Sequence, residues 1–167
     1  MAAVIRIYEC SASQAGTNKT SSTIRFKLAD NATVDNQNPI TIPSSGAAVT
    51  RSFSKHVRFY CATAPSVYID NLRVYTDGTN SFGDGITLVG SNVGATYTTN
   101  ASAAVTNATN AFLKTSAAPW DLDAVHTASV TATGFFGDIL KLQMVVASNA
   151  SPGATISETL SYVYDEI

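Results

Sequence analysis

In four short stretches of the first half, basic residues alternate with apolar ones: Ile5-Arg6-Ile7-Tyr8, Ile24-Arg25-Phe26-Lys27-Leu28, Val57-Arg58-Phe59-Tyr60 and Leu72-Arg73-Val74-Tyr75. A period of two suits a pleated strand, whose successive side chains point to opposite faces. It does not suit a helix, whose apolar stripe recurs every 3.6 residues. Each stretch therefore reads as a half-buried strand, with Ile, Phe, Leu and Val turned to a core and Arg6, Arg25, Arg58 and Arg73 turned to water.

Shorter apolar runs continue the pattern at 40–42, 67–69, 86–89, 130–132, 139–146 and 160–164. Turn residues separate them: Pro39, Pro43, Gly46, Asp77-Gly78, Gly83, Gly85, Gly134, Gly137 and Ser151-Pro152-Gly153. The expected fold is all-β, a single-domain antiparallel β-sandwich over residues 1–167, jelly-roll-like, with about eight to ten strands. The missing crossover helices exclude a parallel α/β sheet. Residues 98–119 (TTNASAAVTNATNAFLKTSAAP) fit either of two forms. One is a short helix capped by Asn100 and carrying Ala104, Val105, Ala108 and Phe112. The other is a loop of about twenty residues, a length that is usually functional or ordered by a partner.

Composition narrows the function. A chain of 167 residues is one domain's worth. Its 13% of charged residues is about half the usual ~25%, which argues against disorder, a coiled coil and a polybasic nucleic-acid binder. No run reaches the ~18 apolar residues of a membrane helix. Residues 1–10 lack the basic flank, apolar stretch and cleavage site of a secretory signal, so synthesis in a cytoplasm is expected. Charge is uneven: residues 1–75 sum to +4 and residues 76–167 to −6. The two halves either neutralise each other inside the domain or let copies associate head to tail.

No reactive constellation emerges. Residues 77–85 (DGTNSFGDG) are rich in oxygen ligands, but a calcium loop needs Gly where Phe82 stands and Glu where Leu88 stands, so a structured turn between strands fits better. Asp121 and Asp123 beside Trp120 evoke a sugar-cleaving acid pair with a stacking indole, yet such carboxylates normally come from different elements. The anchor of a loop is the plainer reading of Pro119-Trp120. His56 and His126, the only histidines, have no metal-ligand spacing, and neither a nucleophile elbow nor a phosphate loop is present. Cys10 and Cys61 read as two buried, reduced thiols. Phe59, Tyr60, Tyr68, Tyr75 and Phe82 read either as cross-strand core pairs or as an exposed aromatic patch for a carbohydrate or a protein neighbour. No catalytic, cofactor-binding or metal-binding residue is assigned, and the chain reads as non-enzymatic.

Residues 67–90 (VYIDNLRVYTDGTNSFGDGITLVG) carry an N-x-R-x-Y-T-D-G-x-N-x-x-G-x-G-I pattern, and Tyr162-Val163-Tyr164-Asp165-Glu166 form an aromatic strand ending in acids. Both resemble segments of small virion structural proteins of tailed bacteriophages. The resemblance implies a β-sandwich subunit, made in the host cytoplasm and located in the virion. A capsid decoration protein is the nearest analogue, with the capsid protein and neighbouring copies as partners, in a homotrimer, without cofactor, nucleic acid or membrane. A tail or neck structural protein is the alternative within this class. A carbohydrate-binding module or lectin using Trp120 and exposed tyrosines is the alternative outside it. The motif marks a turn, so no reactive residue is carried over. The residues before Ile5 and the 98–119 segment are the expected partner-facing parts.

Overall fold

The structure, a computed structural model, describes residues 2–11, 13–124, 129–153 and 157–167. Among these residues the chain runs through β1 (Val4–Cys10), β2 (Thr17–Asn18), β3 (Thr50–Arg51), β4 (Lys55–Thr63), β5 (Ile69–Tyr75) and β6 (Ile86–Asn92). It continues through β7 (Thr109–Asn110), a 3-10 turn at Ala111–Leu113, β8 (Trp120–Asp121), β9 (Gly134–Val146) and β10 (Ser161–Glu166). All pairings are antiparallel. A seven-stranded sheet takes the order β2-β1-β4-β9-β6-β7, with β3 also on β9, and a three-stranded sheet takes the order β10-β5-β8. The two sheets pack as a β-sandwich.

Period two decides which side chains meet between the sheets. Val57, Phe59 and Cys61 of β4, Leu72 and Val74 of β5, and Phe136, Leu140 and Leu142 of β9 form one buried cluster. Fully burying a Phe or Leu side chain contributes about 1.5–3 kcal/mol, whereas an exposed ion pair contributes about 0–1 kcal/mol, so this cluster and not surface charge holds the sheets together.

The opposite face of the large sheet is only partly wet. Gln143 of β9 is buried there, donating from Nε2 to the carbonyls of Ser52 at 2.9 Å and Ala103 at 3.0 Å and accepting from the Val105 amide at 3.3 Å. Ser54 and Ala101 exchange two further bonds. Residues 101–105 are thus laid across this face by their own chain, while Thr109 and Asn110 pair with β6 and Ala111 and Phe112 enter the core. Asn100 caps no helix; Asn110 caps the 3-10 turn instead, accepting from the Phe112 amide.

Other expectations need correction. Residues 24–28 and 40–42 form no strand. Lys27, which alternation turns to water, is 1% exposed, its Nζ donating to Thr33 O and Asp35 Oδ1, both at 3.0 Å. Capture by the following loop removes the segment from any ladder. Residues 130–132 supply a single bridge, Val130 to Ile69. Arg58, also expected in water, is 8% exposed.

Two bulges aim side chains. In β9 the pairing with β4 shifts between Val57↔Leu140 and Phe59↔Phe136, placing three residues of β9 opposite Arg58. Gly137, at φ +66°, sits in this bulge, and a Cβ there would lie 2.7 Å from Leu72. In β5 the pairing with β10 shifts at Asn71, whose φ of +56° is a left-handed conformation that Asn tolerates.

Candidate functional site

On the outer face of the large sheet, Tyr8 of β1 stands opposite Arg58 of β4, and Tyr60 of β4 stands opposite Phe135 of β9. Cross-strand neighbours lie within reach of ring contact. The three rings pack mutually, with centroids 5.0 Å apart for Tyr8–Tyr60, 5.4 Å for Tyr8–Phe135 and 5.0 Å for Tyr60–Phe135. All three are half-buried, and Arg6 beside them is exposed. The Arg58 guanidinium lies over Phe135, 5.6 Å from its centroid, and its buried Nε has no hydrogen-bond partner among the described residues. Burial lowers the Arg58 pKa against the opposing influences of Cys10 and then Asp138. Of this patch, sequence reading singles out Tyr60 as a possible patch member. Tyr8 and Phe135 join it through register alone.

A second polar group lies near the start of β4. Lys55 donates to Glu9 Oε1 at 2.8 Å and to Asn31 O at 2.6 Å, Lys19 donates to Ala32 O at 2.7 Å, and Glu9 Oε2 faces Lys19 Nζ at 3.7 Å. With Lys27 on Thr33 O, three successive carbonyls of one loop each take one buried lysine. These charges are consumed in holding residues 31–35 and are not offered to a ligand.

A third feature is the pole where the chain's first and last strands meet. Asn71 Nδ2 donates to Asp165, Arg73 reaches Asp165 at 3.4 Å, and Ala3 N donates to Glu166 Oε1 at 2.7 Å. Tyr68 and Ile167 exchange backbone bonds. The two segments that carry the bacteriophage resemblance therefore clasp each other, the Asn and Arg of one holding the Asp of the other. Around this clasp Val4 is 45%, Val67 55% and Ile167 58% exposed.

The other sequence candidates are placed as follows. Trp120 is 5% exposed, its indole against Gly90 of β6, so it is core and no stacking platform. Asp121 accepts from the Asp123 amide at 2.9 Å and Asp123 from the Leu72 amide at 2.6 Å, so both brace backbone. Burial raises the Asp123 pKa, opposed by the Leu72 N–H. Residues 77–85 do form a structured turn, with Gly78, Gly83 and Gly85 at positive φ, but it crosses from β5 in the small sheet to β6 in the large one.

His56 is fully buried. Asn100 Nδ2 donates to Cys10 O and Asp30 Oδ1, leaving its Oδ1 to accept from His56 Nδ1, while Thr98 Oγ1 stands 3.4 Å from Nε2. Burial lowers the His56 pKa to about 4. A neutral imidazole bonded on both sides is a structural residue. His126 lies outside the described residues. Cys10 and Cys61 are buried free thiols, and burial raises both pKa values. Phe59 is core, Phe82 packs on Phe112, and Tyr68 and Tyr75 are half-buried.

A cavity of about 770 Å³ opens beside the inner face of the large sheet, lined among others by Phe26, Ile40, Phe82, Leu88, Met144 and Tyr162. Among the described residues no group of three or more His, Cys, Asp or Glu gathers to hold a metal, and no helix is long and apolar enough to cross a membrane. No protein-family model, curated protein or solved structure matches the chain.

Proposed function

We propose that this chain is a non-enzymatic structural subunit of a tailed-bacteriophage particle, decorating the capsid and reinforcing it by contacts to capsid protein and to neighbouring copies, as a trimer. One observation carries the reading: the pole where the two resembling segments clasp presents Val4, Val67 and Ile167, three half-exposed apolar residues from distant parts of the chain. Apolar residues gathered by a rigid clasp suit a contact surface, and the N-terminal residues expected to face a partner lie within it. Repeated across a lattice, modest contacts sum, because each linked contact acts at high effective concentration.

The test is co-sedimentation with particles of the phage that encodes the chain, followed by separation of heads from tails. The chain is expected with heads, and Val67→Asp with Ile167→Asp should release it while leaving the fold intact by circular dichroism. Recovery with tails would move the subunit to the tail or neck. Absence from particles would overturn the reading. The carbohydrate-binding alternative loses its main residue with Trp120 in the core.

A further inference from the structure

Arg58 is nearly buried, and one of its donors meets neither water nor an acceptor. It is 8% exposed, its Nε is inaccessible and unbonded, and its guanidinium lies on the face of Phe135. A guanidinium stays charged in any protein environment, and a buried donor without an acceptor costs stability. The carboxylate that most influences it is Asp138, whose Oδ2 accepts from Asn92 Nδ2 at 2.8 Å. The bulge in β9 sets residues 137–139 opposite Arg58, with Asp138 at their middle. The result is a planar donor fork set among three half-buried rings, on a part of the sheet next to the exposed Arg6.

We propose that Arg58 receives a carboxylate side chain from a second copy of this chain, arriving beside the packed rings of Tyr8, Tyr60 and Phe135. A guanidinium offers paired N–H donors that match the two oxygens of a carboxylate, and a collar of aromatic rings excludes water from the pair. The supply is present in the chain itself. Residues 76–167 carry −6, with Asp77, Asp84 and Asp121 exposed. Asp121 belongs to β8 of the small sheet, the other layer of the sandwich, so the contact is heterologous, one copy's acidic layer against the next copy's arginine face. This inference rests on the reading that the chain works through contacts between copies.

Arg58→Met is the primary test, because it removes the charge while keeping a side chain of similar reach. The isolated domain is expected to melt about 2–4 °C higher, the scale of a modest stabilisation at this chain length, since a buried uncompensated charge is gone. Self-association, followed by analytical ultracentrifugation at low salt, should disappear in the same variant. In the unaltered chain association should weaken as salt is raised. Arg58→Lys, which keeps the charge without the fork, should associate about tenfold more weakly.

A lower melting temperature with unchanged association in Arg58→Met would make Arg58 an internal structural charge and sink the proposal. An unaltered chain that stays monomeric at low salt but binds polygalacturonate through Arg58 would assign the site to an acidic glycan and equally overturn it. Arg58-dependent association by a chain absent from particles would sustain this inference and remove the virion reading, so the two fail separately.

Discussion

Lys19, Lys27 and Lys55 are as buried as Arg58, but each lysine ends on a loop carbonyl, and Lys27 and Lys55 on a carboxylate as well, while Arg58 ends over an aromatic face. The contrast separates charge that builds the fold from charge left for something else. A buried cation that ends on loop carbonyls fixes a loop. A buried cation lacking them makes its neighbourhood less stable than an apolar one would, and that arrangement suits a surface which acquires its acceptor on contact.

The largest effect is expected from breaking the buried lysine group at Glu9. Glu9→Gln leaves Lys55 with a carbonyl and a neutral amide, and should lower unfolding free energy by about 3–5 kcal/mol in a denaturant titration. Adding Lys55→Met should restore part of that loss, because the orphaned charge is then removed. A loss under 1 kcal/mol, on the order of a surface pair, would erase the distinction between the two regions.

His56 offers an intermediate case, a buried titratable group that is fully partnered while neutral. Its folded pKa of about 4 lies below the ~6.5 of an unfolded histidine, so the unfolded chain takes up a proton that the native chain refuses. The stability it contributes is complete above pH ~6.5 and is lost as pH falls toward 4, at up to about 1.4 kcal/mol per pH unit. His56→Gln should flatten this part of the pH–stability curve, measured by denaturation at a series of pH values. An unchanged slope would show that other groups produce it. The smallest effect belongs to the partly exposed pair Arg73–Asp165, where Arg73→Ala should cost about 0–1 kcal/mol and lose most of even that in high salt.

Strands β1, β4, β5, β6, β9 and β10 were legible because alternation is local and their core-facing residues are consecutive odd or even positions. The four two-residue strands were not, since their pairing is imposed by neighbours and not by their own sequence. Residues 24–28 show the same alternation as β4, yet the Lys27 amine finds acceptors at Thr33 and Asp35, a competition that periodicity cannot register. The anchor reading of Trp120 stops short of its partner, because sequence does not reveal that Gly90, thirty residues earlier, leaves room for its indole in the core. Asn100 looked like a helix cap, but its amide is committed to His56 and Cys10, 44 and 90 positions away. Arg58 does lie on the outer face, where alternation places it, but the ring of Phe135 from another strand covers it there, which its own sequence cannot show.

The hydrogen bond from Ala3 to Glu166 brings residues 163 positions apart together at one pole of the sandwich. A cargo protein or affinity handle joined to either terminus would therefore project from that single pole and shadow Val4 and Val67. A short peptide bridge across the gap, with new termini opened in the 77–85 crossover, would give a circular permutant that keeps both sheets intact and moves the attachment points elsewhere.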